Sequence, residues 1–402
     1  MKIALRTKVG AALVLASLLA ACGSSSPTEQ ASSTRPTGPA PTGEPVKIMI
    51  IGAKNNPVAS QENMFAAAQA RVDYVNDSGG LGGRPLQLIV CDANLDPNLE
   101  AGCLDQAVSD NVAAIVGSML LFTRDYSKLE AASIPLIATQ SLSPGEIAYP
   151  HAYLLGNNMG WFKGLGRLVA DEKNDTVAVT YTDTTTGAFA NTLIRSVLDP
   201  AGVKVITSLA HAASSGDRSA EAASLARGNP SAVVLAGTAE AVVPLIQAVR
   251  QTGYAGRIYT YSSALPPSGV EALRDAGEGV RVVGRGRFLS DTGPEMRQYK
   301  DDILNYAPAG TRMDERGTNG WSSVELFAKV MANSAGSFTG QDVIAAFDRL
   351  TTPVEAGTFG PFLGAGTSCD TEYPTILNTQ YMVGTIKDGQ IVADTGKFES
   401  YC

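Results

Sequence analysis

Apolar runs of strand length alternate with amphipathic stretches along most of the chain. The run VKIMIIG at 46–52 is almost continuously apolar, which is typical of a parallel strand buried on both faces. Residues 60–77 follow with apolar side chains at helical spacing on one face. Glycines within 79–83 end that helix, and PLQLIVCD at 85–92 predicts the next strand. The pattern therefore predicts a repeating strand–helix unit.

This alternation predicts two sets of parallel strands. The first set continues at 113–117, 134–139 and 152–156. The second begins near Asn157, with strands at 176–182, 203–208, 231–237, 257–262 and 280–284. Its helices are predicted at 187–198, 218–226, 240–252 and 268–276. Two such sets, each with its own parallel sheet, predict an α/β fold of two doubly wound lobes.

The remaining sequence predicts further helices and a β-rich tail. Helices are predicted at 294–306, 318–333 and 340–350. From Gly357 onward the chain predicts β-structure and loop, with a turn at Lys387–Gly389. Asp96 and Pro97 predict an N-cap and first helical residue after the second strand.

The N-terminus predicts export. Three basic residues precede an apolar stretch, 9–19, that is too short to span a bilayer as a stable helix. Small residues then lead directly to Cys22, which resembles the bacterial lipobox, whose cysteine becomes the lipidated first residue. We predict a signal peptide over 1–21 and a lipid anchor at Cys22, which places the protein outside the cytoplasmic membrane. The alternative is an ordinary secretory peptide with a chance cysteine after its cleavage site.

Residues 22–45 are rich in Ser, Thr, Pro and Gly and predict a flexible tether. No later run approaches the length of a membrane span, so the lipid would be the only anchor. Without residues 1–21, 28 basic and 39 acidic residues give a net charge of −11. An acidic chain without a Lys/Arg cluster is a poor candidate for nucleic-acid binding.

Four cysteines remain after Cys22, an even number in an oxidising compartment. They allow three pairings. We favour Cys91–Cys103, which would tie a strand end to the next helix, and Cys369–Cys402, which would hold the C-terminus. Buried thiols or metal ligands are the alternatives, but CxxC is absent from the sequence and its two histidines lie far apart.

The sequence lacks the common catalytic signatures. G-x-S-x-G, H-E-x-x-H, the P-loop pattern and G-x-G-x-x-G are all absent. A pair of carboxylates acting as in a glycosidase stays possible, since 39 acidic residues guarantee chance proximity. The stretch Asp92–Asn98 resembles the start of a calcium loop, but Pro97 and Cys103 stand where that loop needs Gly and Glu. We therefore expect no cofactor, no metal and no enzymatic activity.

Ligand-binding residues are predicted where strands end. In open α/β sheets, ligands bind beyond the carboxyl ends of the strands, near helix N-termini. The segments at these ends are 53–60, 117–123, 139–143, 182–186, 237–240 and 261–264, and most are rich in Ser, Thr and Asn. The predicted ligand-binding residues are Ser118, Thr139, Gln140, Ser141, Asp183, Thr186, Gly237, Thr238, Tyr261 and Ser262. Each could instead cap a helix.

Three segments carry a resemblance to a known family. They are GGLGGRPLQLIVCDANLDPNLEAGC at 79–103, IPLIATQSLSP at 134–144 and IQAVRQTGYAGRIYTY at 246–261. The chain from 46 onward resembles type I periplasmic binding proteins of the leucine/isoleucine/valine-binding group. The resemblance implies three crossings between the lobes, with 46–156 plus 287–352 in lobe 1 and 157–286 plus 353–402 in lobe 2. It also implies closure of a hinge over the ligand and delivery to the membrane subunits of an ABC permease.

Departures from the family pattern affect the predicted pocket. Where the family offers a Ser after the third strand, this chain has 119–122, flanked by Ser118 and Thr123. Where the family has a Tyr that stacks on the ligand, this chain has Thr186. Where the family has an acid that binds the ligand ammonium, this chain has Ser262. Asp183 or Glu240 could replace that acid, because a buried ammonium needs a carboxylate partner.

The most direct interpretation is a monomeric solute-binding lipoprotein for a small polar ligand. An amino acid is the ligand that the resemblance implies, and an amide, a urea-like molecule or an organic acid fits comparably. Two other functions stay open: a sensory module of the same fold, and an exported hydrolase that uses two carboxylates.

Overall fold

A computed structural model describes residues 35–402 except 55, 57–59, 140–143, 156–157, 215, 333, 335–336 and 365–377. The predicted signal peptide, Cys22 and the tether up to 34 lie outside the described residues. So do the predicted site residues Gln140 and Ser141 and the predicted disulfide partner Cys369. In the described ranges, no helix is long and apolar enough to cross a bilayer.

The first sheet contains five parallel strands in the order β2-β1-β3-β4-β5. Strand β1, which lies between β2 and β3, is buried on both faces, with Ile48 to Ile51 fully inaccessible, as its continuous apolar run predicts. The strands are β1 Val46–Gly52, β2 Leu86–Asp92, β3 Ala114–Val116, β4 Leu136–Ile137 and β5 Ala152–Tyr153.

The second sheet contains seven strands in the order β12-β11-β10-β9-β8-β6-β7. Strands β6 to β10 are parallel, whereas β11 and β12 form an antiparallel hairpin at one edge. The predicted turn lies between them, with Asp388 and Gly389 at φ of 50° and 74°, which favours Asp-Gly there. The strands are β6 Thr176–Thr182, β7 Lys204–His211, β8 Ala232–Ala236, β9 Arg257–Tyr261, β10 Arg281–Gly284, β11 Gln380–Lys387 and β12 Gln390–Ser400.

Helices cover both faces of each sheet, as expected for doubly wound lobes. They are α1 Glu62–Asp77, α2 Pro97–Ser109, α3 Ser127–Ala131, α4 Pro144–Ala148, α5 Asn158–Asp171, α6 Thr185–Leu198, α7 Ser219–Ala226, α8 Ala239–Gln251, α9 Pro267–Leu273, α10 Pro294–Tyr306, α11 Glu315–Met331 and α12 Gly340–Asp348. The predicted start of α2 is confirmed, because Asp96 accepts hydrogen bonds from the backbone N–H groups of Asn98 and Leu99.

Helix α5 was not predicted. Its glycines resemble helix breakers in the sequence. In the folded chain, a Cβ on Gly166 would lie 2.7 Å from the carbonyl oxygen of Ile194 in α6. The glycine therefore permits the close packing of two helices, and only the tertiary contact explains it.

The chain passes three times between the two lobes. After β10 it returns to the first lobe, where α10 and α11 pack on α1. Buried Arg71 of α1 forms ion pairs with Asp302 of α10 and Glu325 of α11. The chain then runs back to β11 and β12 in the second sheet, and the two return segments pair where Arg287 N donates to Thr358 O at 2.7 Å. The boundary residues given in the sequence analysis stay predictions.

The last part of the predicted tether is docked on the first lobe. Gly38 N donates to Asp77 O at 2.7 Å, and Thr42 N donates to Gly83 O at 2.8 Å. Arg84 Nε in turn donates to Glu44 O at 2.7 Å. The flexible tether over 22–45 stays a prediction, and its residues 35–45 have hydrogen-bond partners at Asp77, Gly83 and Arg84.

One predicted disulfide is confirmed. Cys91 at the end of β2 and Cys103 in α2 are bonded, with their Cα atoms 5.8 Å apart. Cys402 is also disulfide-bonded. Its predicted partner, Cys369, lies outside the described residues, so that pairing stays a prediction.

Candidate functional site

The carboxyl ends of the two sheets meet at Glu315, the first residue of α11. On the first-lobe side, Asn319 of α11 donates to Gly117 O after β3 at 3.0 Å, and Arg316 donates to Ser60 O near the start of α1. On the second-lobe side, Ser262 follows β9 and Arg285 follows β10. Ser262 Oγ donates to Glu315 Oε2, and Arg285 Nε donates to Glu315 Oε1 at 3.1 Å. The start of α11 therefore contacts the strand-end segments of the first lobe through Arg316 and Asn319, and those of the second lobe through Glu315.

Arg285 is the most deeply buried charge at this junction. Only 2% of the residue is exposed, and its guanidinium lies 4.1 Å from the centre of the Trp161 ring. The pKa of Arg285 is lowered, because the effect of burial outweighs the opposing effect of the neighbouring Glu315 carboxylate. We refer to Trp161, Tyr261, Ser262, Arg285 and Glu315 as the Arg285 cluster. It combines one cation, one anion and two aromatic rings.

Tyr261 supports the cluster from the end of β9. Its ring packs against Trp161, with centroids 5.1 Å apart, and against Phe162. Its hydroxyl donates to Gly237 O at 2.6 Å. Burial, and secondarily the Glu315 carboxylate, raises the pKa of Tyr261. Because the only phenolic proton is donated to the backbone, Tyr261 can offer a ligand its ring and an oxygen acceptor.

Three other predicted residues of the second lobe lie at the ends of β6 and β8. Asp183 and Thr186 are exposed, and Thr238 Oγ1 donates to Ala213 O at 3.0 Å. The N-cap of α6 is Thr184, whose hydroxyl accepts from Gly187 N at 3.0 Å. Thr186 is therefore not the capping residue of its helix.

Gly237 occupies a position that requires glycine. A Cβ there would lie 2.6 Å from His211 Nε2, so a larger residue would displace the buried imidazole. Thr180 Oγ1 lies 2.8 Å from His211 Nδ1 and donates its proton to Leu209 O. Nδ1 therefore carries the imidazole hydrogen. Burial, and secondarily the charge of Arg218, lowers the pKa of His211.

In the first lobe, Ser118 and Thr139 differ in how their hydroxyls are used. Ser118 Oγ accepts from Ile51 N at 2.8 Å and donates to Val116 O at 3.1 Å. Thr139 is fully buried beyond the end of β4, and its Oγ1 has no hydrogen-bond partner in the described part of the chain. Thr139 therefore has a hydroxyl to offer a ligand, whereas that of Ser118 is engaged by the backbone.

A buried carboxylate shapes the loop that follows β3. Glu100 of α2 accepts from the N–H groups of Leu121, Phe122 and Thr123 at 2.8, 3.0 and 2.7 Å. It also accepts from Thr123 Oγ1 at 2.6 Å. This loop contains the residues that differ from the family pattern. The hydrogen bonds from Glu100 fix its backbone in a conformation in which Phe122 is 39% exposed.

The structure brings Tyr261 and Ser262 together and adds three residues that the sequence analysis did not propose. Arg285 follows the predicted strand 280–284, so the strand-end rule, applied to that strand, would have found it. Trp161 and Glu315 belong to helix starts that were not predicted. Glu315 is 53 residues from Ser262 in sequence, and only the fold brings them into contact.

A wide groove of about 1010 Å³ lies elsewhere, between α8 and α9 on the outside of the second lobe. It is lined by Gln247, Arg250, Glu271 and Arg274, among others, and does not include the strand ends. The described residues contain no group of three or more His, Cys, Asp or Glu side chains placed to hold a metal ion.

A family model described as periplasmic binding protein matches residues 45–389. The Leu/Ile/Val-binding protein of Escherichia coli (strain K12) is 29% identical over 77 residues, 19% of this chain and 21% of that protein. The leucine-, isoleucine-, valine-, threonine-, and alanine-binding protein of Pseudomonas aeruginosa is 26% identical over 167 residues, 40% of this chain and 45% of that protein. The matches thus span less than half the length of these curated relatives.

Solved structures share the fold at low identity. A branched chain amino acid ABC transporter protein from Thermus thermophilus with bound valine superposes with a TM-score of 0.73 at 16% identity, covering 89% of this chain and 97% of that one. A solute binding protein of an ABC transporter from Rhodopseudomonas palustris HaA2, in complex with p-hydroxybenzoic acid, has a TM-score of 0.71 at 14% identity, covering 89% and 98%.

Proposed function

Because the chain belongs to the periplasmic binding protein family, we propose that it captures an amino acid or a related small metabolite between its lobes and delivers it to an ABC permease. The family implies an extracytoplasmic location and small-molecule binding. Relatives named for leucine, isoleucine and valine, together with the valine-bound neighbour, support an amino acid as ligand.

The main support for this proposal is the position of Glu315 beside Ser262. The family's acid for a ligand ammonium corresponds in this sequence to Ser262, which cannot carry charge. In the folded chain, Ser262 donates to the Glu315 carboxylate, so α11 supplies an acid beside that position. The carboxylate accepts one bond on each oxygen from Ser262 and Arg285, and each oxygen can accept another. A ligand ammonium can therefore bind there without leaving either charge unpaired.

Calorimetric titration of the purified protein with L-leucine, L-valine, L-threonine and L-alanine tests the proposal. A hydrogen bond to a charged group contributes about 1.5–3 kcal/mol, so Glu315→Gln should weaken binding roughly tenfold to a hundredfold. Glu271→Gln, an exposed change on α9, is the matched control and should bind as the wild type. Failure of every amino acid to bind the wild type would contradict the proposed ligand class.

The lipid anchor is also part of the proposal. It is supported by the basic, apolar and small-residue pattern that leads to Cys22. Cys22→Ser should move the protein from the membrane fraction to the soluble fraction with ligand affinity unchanged. A wild-type protein without an acyl mass on its first residue would refute the anchor but not ligand capture.

A further inference from the structure

Two buried N–H groups of the Arg285 cluster, Arg285 Nη1 and Trp161 Nε1, have no hydrogen-bond partner among the residues that the structure describes. Both residues are more than nine-tenths buried, at 2% and 6% exposure. A buried donor without an acceptor destabilises the folded state, and native interiors hold few of them. Two such donors on side chains in direct contact point to an acceptor that the described part of the chain does not supply.

The chemistry of the donors specifies the acceptor. The guanidinium stacks on the Trp161 ring at 4.1 Å, and Glu315 engages its Nε. Nη1 is therefore a charged donor that remains available, and the indole N–H belongs to the ring that the guanidinium covers. A carboxylate has two oxygens and about four lone-pair sites, enough for both donors, and it matches guanidinium geometry best. An amide has a single acceptor oxygen and carries no charge.

The charges of the cluster restrict the ligand further. Arg285 and Glu315 are neutral as a pair, so a bound carboxylate alone would leave one net negative charge at a buried position. A ligand that also carries an ammonium restores neutrality, because the ammonium can pair with Glu315. Burying an uncompensated charge is expensive, so the zwitterion is favoured over a simple anion of the same size.

We propose that Arg285 Nη1 and Trp161 Nε1 bind the carboxylate of a zwitterionic ligand from the second-lobe side of the cleft. The inference rests on the proposed function, which assigns the ligand ammonium to Glu315. It makes Trp161 and Arg285 the residues that distinguish an amino acid from its amide.

The test compares probes that differ only in the carboxylate: L-leucine against L-leucinamide, and L-valine against L-valinamide. Trp161→Phe keeps an aromatic ring under the guanidinium and removes the N–H together with the pyrrole part of the indole. It should weaken binding of the amino acids roughly tenfold or more and leave the amides close to their wild-type affinity. The ratio of the two affinities is the readout, so a general loss of stability does not imitate the result.

Trp321→Phe is the matched control, because it removes the same N–H at a satisfied position. Trp321 Nε1 donates to Asp302 at 2.7 Å in the α1–α10–α11 packing. This variant should lower the melting temperature and leave the ratio unchanged. Equal binding of amino acid and amide by the wild type, or an unchanged ratio in Trp161→Phe, would overturn the inference while ligand capture stands. No binding of any of the four probes would contradict both proposals.

Discussion

The four hydrogen bonds that Glu100 accepts make Glu100→Gln an informative perturbation of the loop after β3. The residue is 2% exposed, and its carboxylate accepts from three consecutive backbone N–H groups and one hydroxyl. Glutamine has nearly the same shape but only one acceptor oxygen. Its NH2 group would face a backbone N–H, whichever way the amide is turned.

The expected cost follows from the distribution of these bonds. Oε1 accepts three of them and Oε2 accepts the one from Leu121 N. If the amide oxygen replaces Oε1, Leu121 N is left unsatisfied at about 1–3 kcal/mol, and the retained bonds fall from charged to neutral strength. We therefore expect a loss of about 3 kcal/mol in unfolding free energy, large for a single side chain of unchanged size.

Two measurements check this expectation. Urea unfolding should show the loss for Glu100→Gln, while exposed Glu271→Gln should stay within about 0.5 kcal/mol of the wild type. Hydrogen exchange should show faster exchange of the amides of Leu121, Phe122 and Thr123 in the first variant only. If those amides keep their protection and the stability is unchanged, the carboxylate does not hold the loop.

Three further predictions concern separate features. Replacing both Cys91 and Cys103 by Ser should cost about 3 kcal/mol, since their bond closes a loop of 12 residues; urea unfolding measures it. Burial raises the pKa of Tyr254 to about 12, above its unfolded value of about 10. Its contribution to stability is therefore complete below pH 10 and is lost as the pH rises through 12, and Tyr254→Phe should show a smaller loss of stability over that range. Thr139→Val should leave the melting temperature of the ligand-free protein within a few degrees and weaken ligand binding about threefold to tenfold, because its hydroxyl has no partner among the described residues. Unchanged affinity in calorimetric titration would show that Thr139 does not belong to the binding site.

The sequence pattern predicted those structural features that depend only on neighbouring residues. Strands β1 and β6 begin and end at the predicted residues, as does α10, because continuous apolar runs and helical periodicity are properties of neighbouring residues. The cap at Asp96 and the turn at Asp388 were predictable for the same reason, since each depends on the conformational preference of one or two residues.

Contacts between distant segments decided the rest. Gly166, which resembles a helix breaker in the sequence, permits the packing of α5 on α6. Backbone groups of the Pro-rich segment 35–45 form hydrogen bonds with the end of α1 and the turn that follows it. Glu315 acquires its role only because three passages of the chain bring α11 against the ends of β9 and β10. The sequence by itself determined the family, the two lobes and the exact ends of strands β1 and β6, whereas β7 ends three residues beyond its predicted end. The pairing of Glu315 with Arg285 at the strand ends was determined only by the tertiary structure, because the two residues belong to different elements that the fold brings together.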